Sequence, residues 1–463
     1  MEKKKVLLLY TPVEDQNKTL DTVNETGSLE YPLGLLYLDS ILEKNGYDVL
    51  TKSYMYWREE SFLAEIEGLI KNFQPDFIGI SVLSMTRVST YHTINLIKKI
   101  NPNIKIILGG IHASVMYKQL LDNFPIDAIC LGESEESLVE LLEAIIKKKS
   151  LNKVKGIAFK ENNEAIYTGP RKIVMDIDKY PMPNLDDFMN ENIKAVKILT
   201  SRGCPNKCSF CCLDTISRRI WRPRDPKKVV DEIEFLLKKY PWVEEIDFLD
   251  DTIILDNNRM IDLCKEIINR NIKKNIYCQG RIKPVSLEMF EWMEKAGVIE
   301  LRFGIETGSE KLLNSIHKGI TKQDCINTFK LLKNYKIKPV KFLIVGLPGE
   351  DEETIKETIE FTKALQRIIK MDFFAATPLW VYPGTEVYEI AKQKGMIDDS
   401  FWLTNKPCPL YTAEHSEEWL RKMSNKIVIE SIIAQGKIYF IKKLFQKLIS
   451  NPKYYLKRIL QGT

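Results

Sequence analysis

Short apolar runs alternate with amphipathic segments through the first 150 residues of the chain. Five apolar runs predict strands, at 5–12, 47–52, 75–83, 104–110 and 126–133. The segments between them repeat apolar residues at helical spacing, and the segment 31–46 has Pro32 near its start and Gly46 just past its end. Strands that alternate regularly with helices predict a doubly wound parallel sheet over residues 1–150.

A sheet of this kind binds ligands at the carboxyl ends of its strands. Those ends are followed here by loops rich in glycine, serine and threonine, at 11–12, 81–86, 109–114 and 132–134. No G-x-G-x-x-G follows the first strand, so the pattern disfavours a dinucleotide. The first domain is therefore expected to bind some other ligand at this edge.

A second series of strands and helices begins near residue 195, after a connector (151–190) that contains a hairpin-like piece. Its predicted strands are 196–200, 245–251, 276–281, 299–306, 340–348 and 372–379. Five helical segments separate them, which predicts a partial (β/α)6 barrel over residues 191–400, with its site at the carboxyl ends of the strands.

Residues 401–463 are expected to form a helical C-terminal region with a basic tail. After Glu430 this tail carries seven lysine or arginine residues and no acid. One interpretation is an amphipathic helix that lies on a membrane surface. The other is a helix that packs on the barrel and turns its lysines towards water.

Charge and hydropathy narrow the class of protein. The net charge is +5 and its cations are spread along the chain, which does not call for nucleic acid. No run of 18 apolar residues occurs, and the first apolar run is too short for a signal peptide. These features favour a cytoplasmic protein, with peripheral membrane contact through the basic tail as an open alternative.

Nine cysteines in such a chain are not expected to form a disulfide framework. Five of them stand alone in apolar or helical surroundings and are interpreted as small buried hydrophobic residues, namely Cys130, Cys264, Cys278, Cys325 and Cys408.

Three cysteines cluster in "RGCPNKCSFC", at Cys204, Cys208 and Cys211, and Cys212 follows at once. A structural zinc site would want four ligands, usually in two pairs, and no second C-x2-C occurs. An iron–sulfur cube normally takes four cysteines, so three would leave one iron open to a substrate or cofactor. Adjacent residues do not easily turn towards one metal, and we therefore expect Cys212 not to be a ligand.

This C-x3-C-x2-C loop, with Phe210 before the last cysteine and a barrel strand before the loop, resembles the signature of the radical S-adenosylmethionine (SAM) superfamily. The resemblance implies a 4Fe–4S cluster on the three cysteines and SAM held at the open iron. Cofactor contacts are implied for Phe210 and for strand-end residues of the barrel, namely Asp250, Asp251, Arg281, Glu306 and Gly346.

A doubly wound domain ahead of such a barrel resembles the cobalamin-binding radical SAM enzymes, whose first domain is flavodoxin-like. The matching pieces include "PDFIGISVLS", "ILGGIHAS" and "DAICLGESEESLVELL". Cobalamin contacts are implied for seven residues, namely Thr11, Ser81, Ser84, Gly109, Gly110, His112 and Glu133. The chain departs from the D-x-H-x-x-G motif of methionine synthase-type domains, because "YTPVEDQNK" has no histidine to bind cobalt from below. His112 is interpreted as a pocket or structural residue.

Two other readings of the first domain are left open. A methylthiotransferase would need three more cysteines there, but the first 200 residues hold only Cys130. A flavodoxin-like regulatory module without a corrin would show the same strand pattern.

The resemblance implies methylation of an unactivated carbon, or of phosphorus, through methylcobalamin and a 5′-deoxyadenosyl radical. An enzyme of the same fold that cyclises, rearranges or oxidises its substrate is the alternative, and a metal-binding scaffold is the non-enzyme alternative. An external electron donor of the flavodoxin or ferredoxin type is implied, and the substrate is expected to be a small molecule or a lipid. No catalytic acid or base can be assigned, because the cofactors carry the chemistry.

Overall fold

The computed structural model describes residues 3–13, 31–55, 57, 59–371 and 376–434. Within them the chain forms two compact units. The first comprises the residues up to Lys197, Ser201–Val243 and Val381–Cys408, and the second comprises Ile198–Thr200, Glu244–Trp380 and the described residues after Cys408. The basic tail after residue 434 lies outside the described residues.

The strands, in chain order, are β1 (Lys5–Tyr10), β2 (Asp48–Ser53), β3 (Phe77–Ser81), β4 (Lys105–Gly109), β5 (Ala128–Cys130), β6 (Ile157–Glu161), β7 (Glu164–Tyr167), β8 (Ala195–Ile198), β9 (Ser201–Arg202), β10 (Arg222–Pro223), β11 (Glu245–Phe248), β12 (Asn275–Gly280), β13 (Val298–Glu306), β14 (Lys338–Val345) and β15 (Ala376–Pro378). The helices are α1 (Leu33–Lys44), α2 (Glu59–Phe73), α3 (Arg87–Ile100), α4 (Gly110–Val115), α5 (Tyr117–Asn123), α6 (Glu135–Ile146), α7 (Asp214–Ser217), α8 (Pro226–Lys239), α9 (Asn257–Asn269), α10 (Leu287–Lys295), α11 (Glu310–Ser315), α12 (Lys322–Leu332), α13 (Glu352–Ile368), α14 (Glu386–Gln393) and α15 (Glu417–Ile433).

The first unit is built on a seven-stranded sheet with the order β2-β1-β3-β4-β5-β6-β7. Its first five strands are parallel, which confirms the predicted doubly wound, flavodoxin-like sheet. The run from Val6 to Leu9 is almost fully buried, as expected for a central strand covered by helices on both faces. The strand order reverses beside β1, which places the ligand edge at the carboxyl ends of β1 and β3.

The hairpin of the connector belongs to this first sheet. β6 pairs with β5 in the antiparallel direction, and β7 pairs with β6 in the same way. Asn162 and Asn163, both at positive φ, make the two-residue turn between β6 and β7.

The segment 381–408 is also part of the first unit, and Arg87 holds it there. The fully buried guanidinium of Arg87 donates to the backbone oxygens of Trp402 and Thr404, at 3.2 and 3.1 Å, and to that of Lys406. It also lies over the Trp402 ring, 5.2 Å from its centroid. Several neutral acceptors thus replace the water that this buried cation has lost.

The second unit contains a six-stranded sheet with the order β15-β14-β13-β12-β11-β8, in which β8 contributes through its last residue, Ile198. The strands from β11 to β15 are parallel and follow one another in sequence, as predicted for a partial barrel. The predicted strand 372–379 is described only from Ala376 onwards.

Side chains at the helix starts fix several of these boundaries. Asp225 accepts from the backbone N–H of Lys227 at 2.7 Å, and Pro226 takes the first position of α8. Asp351 and Thr354 form a reciprocal capping box at the start of α13, with distances of 2.9 and 2.8 Å. In the part of the chain that the structure describes, no helix is long and apolar enough to cross a membrane.

Candidate functional site

The cysteine loop, residues 203–221, belongs to the first unit, and it begins and ends at one place. β9 and β10 pair in the antiparallel direction, with Arg202 opposite Arg222. Gly203 begins the loop at a φ of +87°, and a β-carbon there would collide with the backbone oxygen of Ile220. This turn therefore requires glycine, and the "RGC" of the sequence reflects a backbone constraint as well as a ligand position.

The cysteine side chains lie near one another within this loop. The N–H of Cys211 donates to the backbone oxygen of Cys208 at 3.0 Å, which places the two on one turn. Asn206 donates to the Cys204 sulfur at 3.1 Å. Desolvation, and then the neighbouring sulfurs of Cys212, Cys208 and Cys204, raise the pKa of the Cys211 thiol to about 11. Binding to iron would therefore release protons from this loop.

The thiols do not form a site for a single ion. Among the described residues, no three histidine, cysteine, aspartate or glutamate side chains are gathered closely enough to hold one metal ion. Each cysteine ligand of an iron–sulfur cube binds a different iron, so its sulfurs need not meet at one point. The three neighbouring thiols of this loop, with no histidine in the loop, fit an iron–sulfur cluster better than a zinc ion.

Cys212 uses its backbone to start α7, because its carbonyl oxygen accepts from Thr215 N–H at 3.1 Å. Burial raises the pKa of its thiol. Its exclusion from the ligand set stays a prediction. The five isolated cysteines are all buried, as predicted.

The residues predicted to contact cobalamin lie along the ligand edge of the first sheet, but several are already engaged. Thr11 is fully buried, 3.2 Å from the Thr86 backbone oxygen and 2.9 Å from the Thr90 hydroxyl. Ser84 lies 3.0 Å from the Nδ1 atom of His112. The carboxylate of Glu133 accepts from Arg222 at 2.7 and 2.5 Å.

His112 is a buried structural residue. Its ring is fully buried, with the Tyr91 hydroxyl 3.5 Å from Nε2, and it packs against Trp402 at 5.4 Å between ring centroids. Burial, followed by the charge of Arg87, lowers the pKa of His112 to about 3. The imidazole is therefore neutral and both ring nitrogens face protein hydroxyls.

Gly109 and Gly110 form a tight turn between β4 and α4. Gly110 has a φ of +88°, and a β-carbon there would lie 2.8 Å from the Val82 backbone oxygen and 3.1 Å from the Ser81 hydroxyl oxygen. The turn therefore brings the backbone of two neighbouring strand ends together. Such a bare backbone surface at the switch point of the sheet suits a large flat ligand.

Asp250 and Asp251 follow β11 in the second unit, and they differ in burial. Asp250 is buried, and both of its carboxylate oxygens accept from Thr200, from its N–H and its hydroxyl, each at 2.7 Å. Arg259 donates to the Thr200 backbone oxygen at 2.6 Å. Asp250 thus fixes the backbone after β8, whereas the side chain of Asp251 is exposed.

Three more predicted SAM contacts are also in the second unit, whereas Phe210 lies on the cysteine loop of the first unit. Glu306 ends β13 at a φ of +71° and forms a 2.6 Å ion pair with Lys318. Arg281 donates to the Lys318 backbone oxygen at 2.6 Å. Gly346 follows β14 at a φ of +91°, and its N–H donates to the buried carboxylate of Glu350.

Sequence reasoning missed the charged partners in these contacts: Glu135, Arg202, Arg222, Lys318 and Glu350. The sequence carries little signal for them, because charged residues are most often exposed to solvent.

Two family profiles match the chain. The radical SAM superfamily matches residues 198–362, and the B12 binding domain matches residues 20–142. The chain therefore carries a B12 binding domain followed by a radical SAM domain, which confirms the predicted resemblance to the cobalamin-binding radical SAM enzymes. These domains imply a 4Fe–4S cluster, SAM and cobalamin as its cofactors.

An uncharacterized methyltransferase of Pyrococcus horikoshii is 29% identical over 470 residues, which cover 100% of this chain and 98% of the relative. The anaerobic magnesium-protoporphyrin IX monomethyl ester cyclase of Cereibacter sphaeroides is 30% identical over 347 residues, or 71% of this chain and 55% of the cyclase. The radical SAM methyltransferase TsrM of Kitasatospora setae, solved with cobalamin and a 4Fe–4S cluster, has a TM-score of 0.70. That likeness covers 85% of this chain and 76% of TsrM at 19% identity, and shows a shared fold.

Proposed function

We propose that this protein transfers a methyl group to an unactivated carbon, or to phosphorus, of a small-molecule or lipid substrate. One observation carries the proposal: a relative that aligns with 100% of this chain is named an uncharacterized methyltransferase. The cyclase aligns with 71% of the chain, and the chain spans only 55% of its length.

The proposed cluster ligands are Cys204, Cys208 and Cys211. Their closeness within one loop that begins at Gly203 supports this role, because three thiols of one loop can bind three irons of a cube. Phe210, between two of the ligands, is the proposed neighbour of SAM on this loop. When bound, the cluster supplies the electron that splits SAM, and cobalamin supplies the transferable methyl group.

In the second unit, the proposed SAM contacts are Asp251, Arg281, Glu306 and the backbone of Gly346. Asp251 is exposed and suits the ammonium group of SAM, whereas both oxygens of Asp250 already accept from Thr200. The proposal for Asp250 therefore becomes a positioning role. In the first unit, Ser81, Gly109 and Gly110 remain the proposed cobalamin contacts, and Thr11, Ser84 and His112 form the hydrogen-bonded layer around Thr86 and Trp402.

The decisive experiment is anaerobic. The full chain would be reconstituted with iron, sulfide and hydroxocobalamin, given SAM and a chemical reductant, and its nucleoside products quantified by mass spectrometry. A methyltransferase of this kind is expected to form both S-adenosylhomocysteine and 5′-deoxyadenosine. The Cys208→Ala variant is the matched control and should form no 5′-deoxyadenosine.

A radical enzyme that cyclises, rearranges or oxidises its substrate is the second candidate, and the 30% identity to the cyclase favours it. Formation of 5′-deoxyadenosine without S-adenosylhomocysteine would support this candidate against methyl transfer. Formation of neither nucleoside by a protein that holds iron and sulfide would contradict both.

Two partners belong to the same proposal. The cluster needs an external one-electron donor of the flavodoxin or ferredoxin type, in the cytoplasm. The basic tail is the proposed contact with anionic lipid, since it places seven cations and no acid after Glu430. Flotation with phosphatidylserine vesicles would test this contact, comparing the full chain with a variant that ends at Ala434. Equal flotation of the two proteins would exclude the tail as the membrane contact.

A further inference from the structure

The cysteine loop is anchored at both ends by arginines. Arg202 is the residue immediately before Gly203, and Arg222 is the first residue after the loop. The two stand opposite each other in the β9–β10 pair. Any restraint on these arginines therefore fixes the entrance and the exit of the loop together.

The exit is held by a bidentate ion pair. The two terminal nitrogens of Arg222 lie 2.7 and 2.5 Å from the two oxygens of Glu133. Arg222 is fully buried, and one of these nitrogens also donates to the Val174 backbone oxygen at 2.9 Å. A guanidinium without contact with water depends on such a partner, because a buried charge that loses its partner is strongly destabilising.

The entrance is held by a second pair. Arg202 donates to Glu135, and the nearest oxygen of Glu133 lies 4.0 Å away. The guanidinium also faces the rings of Tyr37 and Tyr180, 4.9 and 5.9 Å from their centroids. Only 14% of the Arg202 side chain and 8% of the Glu135 side chain are exposed, so solvent screens this pair little.

Both acids follow β5, at the ligand edge of the first sheet. Glu135 is the first residue of α6, where the helix dipole favours a negative charge. Just before them, a β-carbon on Gly132 would lie 3.7 and 3.8 Å from the backbone oxygens of Thr215 and Ile216 in α7. The Gly132 N–H donates to the Ser114 hydroxyl of α4 at 3.0 Å. One short loop of the first sheet thus contacts α4 on one side and the end of the cysteine loop on the other.

We propose that Glu133 and Glu135 are positioning residues for the cysteine loop, and that they couple occupancy of the ligand edge of the first sheet to the order of that loop. This inference deepens the proposed function and rests on it for the identity of the two cofactors. The ion pairs set where Cys204, Cys208 and Cys211 stand, and a ligand bound beside residues 132–134 stabilises the same arrangement. The coupling is reciprocal, as linkage requires.

Hydrogen exchange followed by mass spectrometry on the full chain tests this without iron. In the Glu133→Gln variant we expect the peptides that cover residues 203–217 to exchange at least about tenfold faster than in the native protein, because local opening becomes easier. Glu143→Gln is the matched control, since Glu143 lies on α6, the helix that follows Glu133, and pairs with Lys147 at the surface. Addition of hydroxocobalamin should slow exchange in these peptides in the native protein and in the control, but not in Glu133→Gln.

A spectroscopic measurement separates positioning from folding. After reconstitution, the reduced cluster of the native protein should change its electron paramagnetic resonance spectrum when SAM is added, and this change should be smaller in Glu133→Gln at equal iron content. Arg222→Lys keeps the positive charge but offers only one nitrogen donor group. Its spectral change with SAM should therefore lie between those of the native protein and Glu133→Gln. If Glu133→Gln does not fold, Arg222→Lys and Glu135→Gln carry the same test.

Native exchange rates and a native response to SAM in both Glu133→Gln and Arg222→Lys would overturn the proposal. This failure is distinct from failure of the proposed function. In the latter case the native protein itself would bind no cluster, or would show no change with SAM.

Discussion

Glu306 and Lys318 form a buried ion pair in the second unit, with 2.6 Å between the carboxylate and the ammonium group. Less than a tenth of each side chain is exposed. A β-carbon on Gly304 would lie 2.9 Å from the Lys318 nitrogen and would collide with the Glu306 carboxylate, so this glycine makes room for the pair. A proposed SAM contact at the end of β13 is therefore held by a residue twelve positions further along the chain.

Removing the cation of this pair should be costly. Lys318→Met leaves the Glu306 carboxylate buried without that partner, and we expect the free energy of unfolding to fall by about 3–5 kcal/mol. Urea denaturation followed by circular dichroism would measure it. Lys311→Met is the control, because Lys311 lies 3.9 Å from Asp351 in an exposed pair, and the change there should stay below about 0.5 kcal/mol. Equal losses in the two variants would show that burial of the pair has no energetic consequence.

Replacement of single cysteines should distinguish the three proposed cluster ligands from Cys212, the predicted non-ligand. Alanine at Cys204, Cys208 or Cys211 is expected to abolish the broad visible absorbance of the reconstituted cluster, because each would bind a different iron. Cys212→Ala should retain it, since Cys212 contributes its backbone oxygen to α7 and no predicted ligand. Iron and sulfide analysis of the four variants would check this, and loss of the cluster in Cys212→Ala would refute the ligand assignment.

The first glycine of the loop offers a test that leaves every ligand in place. Gly203→Ala places a β-carbon against the Ile220 backbone at a φ of +87°, so we expect a loss of about 1–3 kcal/mol in stability and a lower cluster content. Gly34→Ala is the matched control, because this exposed helical glycine has nothing within 4 Å of the added carbon. It should raise stability by about 0.5–1 kcal/mol. Full cluster content in Gly203→Ala would mean that the loop tolerates a shifted entrance.

The sequence was most informative where burial repeats with a fixed period. The central strands of the first sheet are apolar runs, because strands covered on both faces are apolar throughout. In the second sheet, β11 and β14 alternate buried residues with more exposed ones. The C-x3-C-x2-C motif was also readable, since its meaning lies in the spacing itself. The hairpin of β6 and β7 was seen as a local feature, but its membership of the first sheet depends on pairing between distant segments.

The contacts of charged residues were predicted less well, because the partners of these residues are far away in sequence. Glu133 was predicted as a cobalamin contact, yet its partner Arg222 lies 89 positions away. Asp250 was predicted to face SAM, and both of its oxygens accept from Thr200, 50 positions before it. Periodicity reports which face of an element is buried, and it carries no information about which distant donor reaches a carboxylate.

His112 should not bind cobalt. Its Nδ1 atom lies 3.0 Å from the Ser84 hydroxyl, and the ring is fully buried. We expect the cob(II)alamin form of the reconstituted protein to show no nitrogen superhyperfine splitting from a histidine in its electron paramagnetic resonance spectrum. The spectrum of His112→Asn should be the same. Splitting that is present in the native protein and absent from the variant would contradict the structural role of this residue.

Glu350 should make the stability of the protein depend on pH. Burial raises the pKa of this carboxyl from 4.5 to about 7, and the nearby charges of Asp351 and Glu414 act in the same direction. Between pH 4.5 and 7 the folded protein therefore holds a proton that the unfolded chain has released. The free energy of unfolding should fall as the pH rises through this window, by about 3 kcal/mol in total, and the full contribution is present only below pH 4.5.

Chemical denaturation at several pH values, with the native protein compared to Glu350→Gln, isolates this effect. The variant keeps an oxygen that can accept from the Gly346 N–H and cannot ionise, so its curve should be flatter over the window. Burial also raises the pKa of Asp39, to about 6, but that residue is unchanged in both proteins and its contribution cancels in the difference. Glu353→Gln, an exposed acid on α13, serves as the control and should follow the native curve. Parallel curves for the native protein and Glu350→Gln would mean that Glu350 is ionised in the folded state, and its hydrogen bond from Gly346 would then be a charge-assisted one.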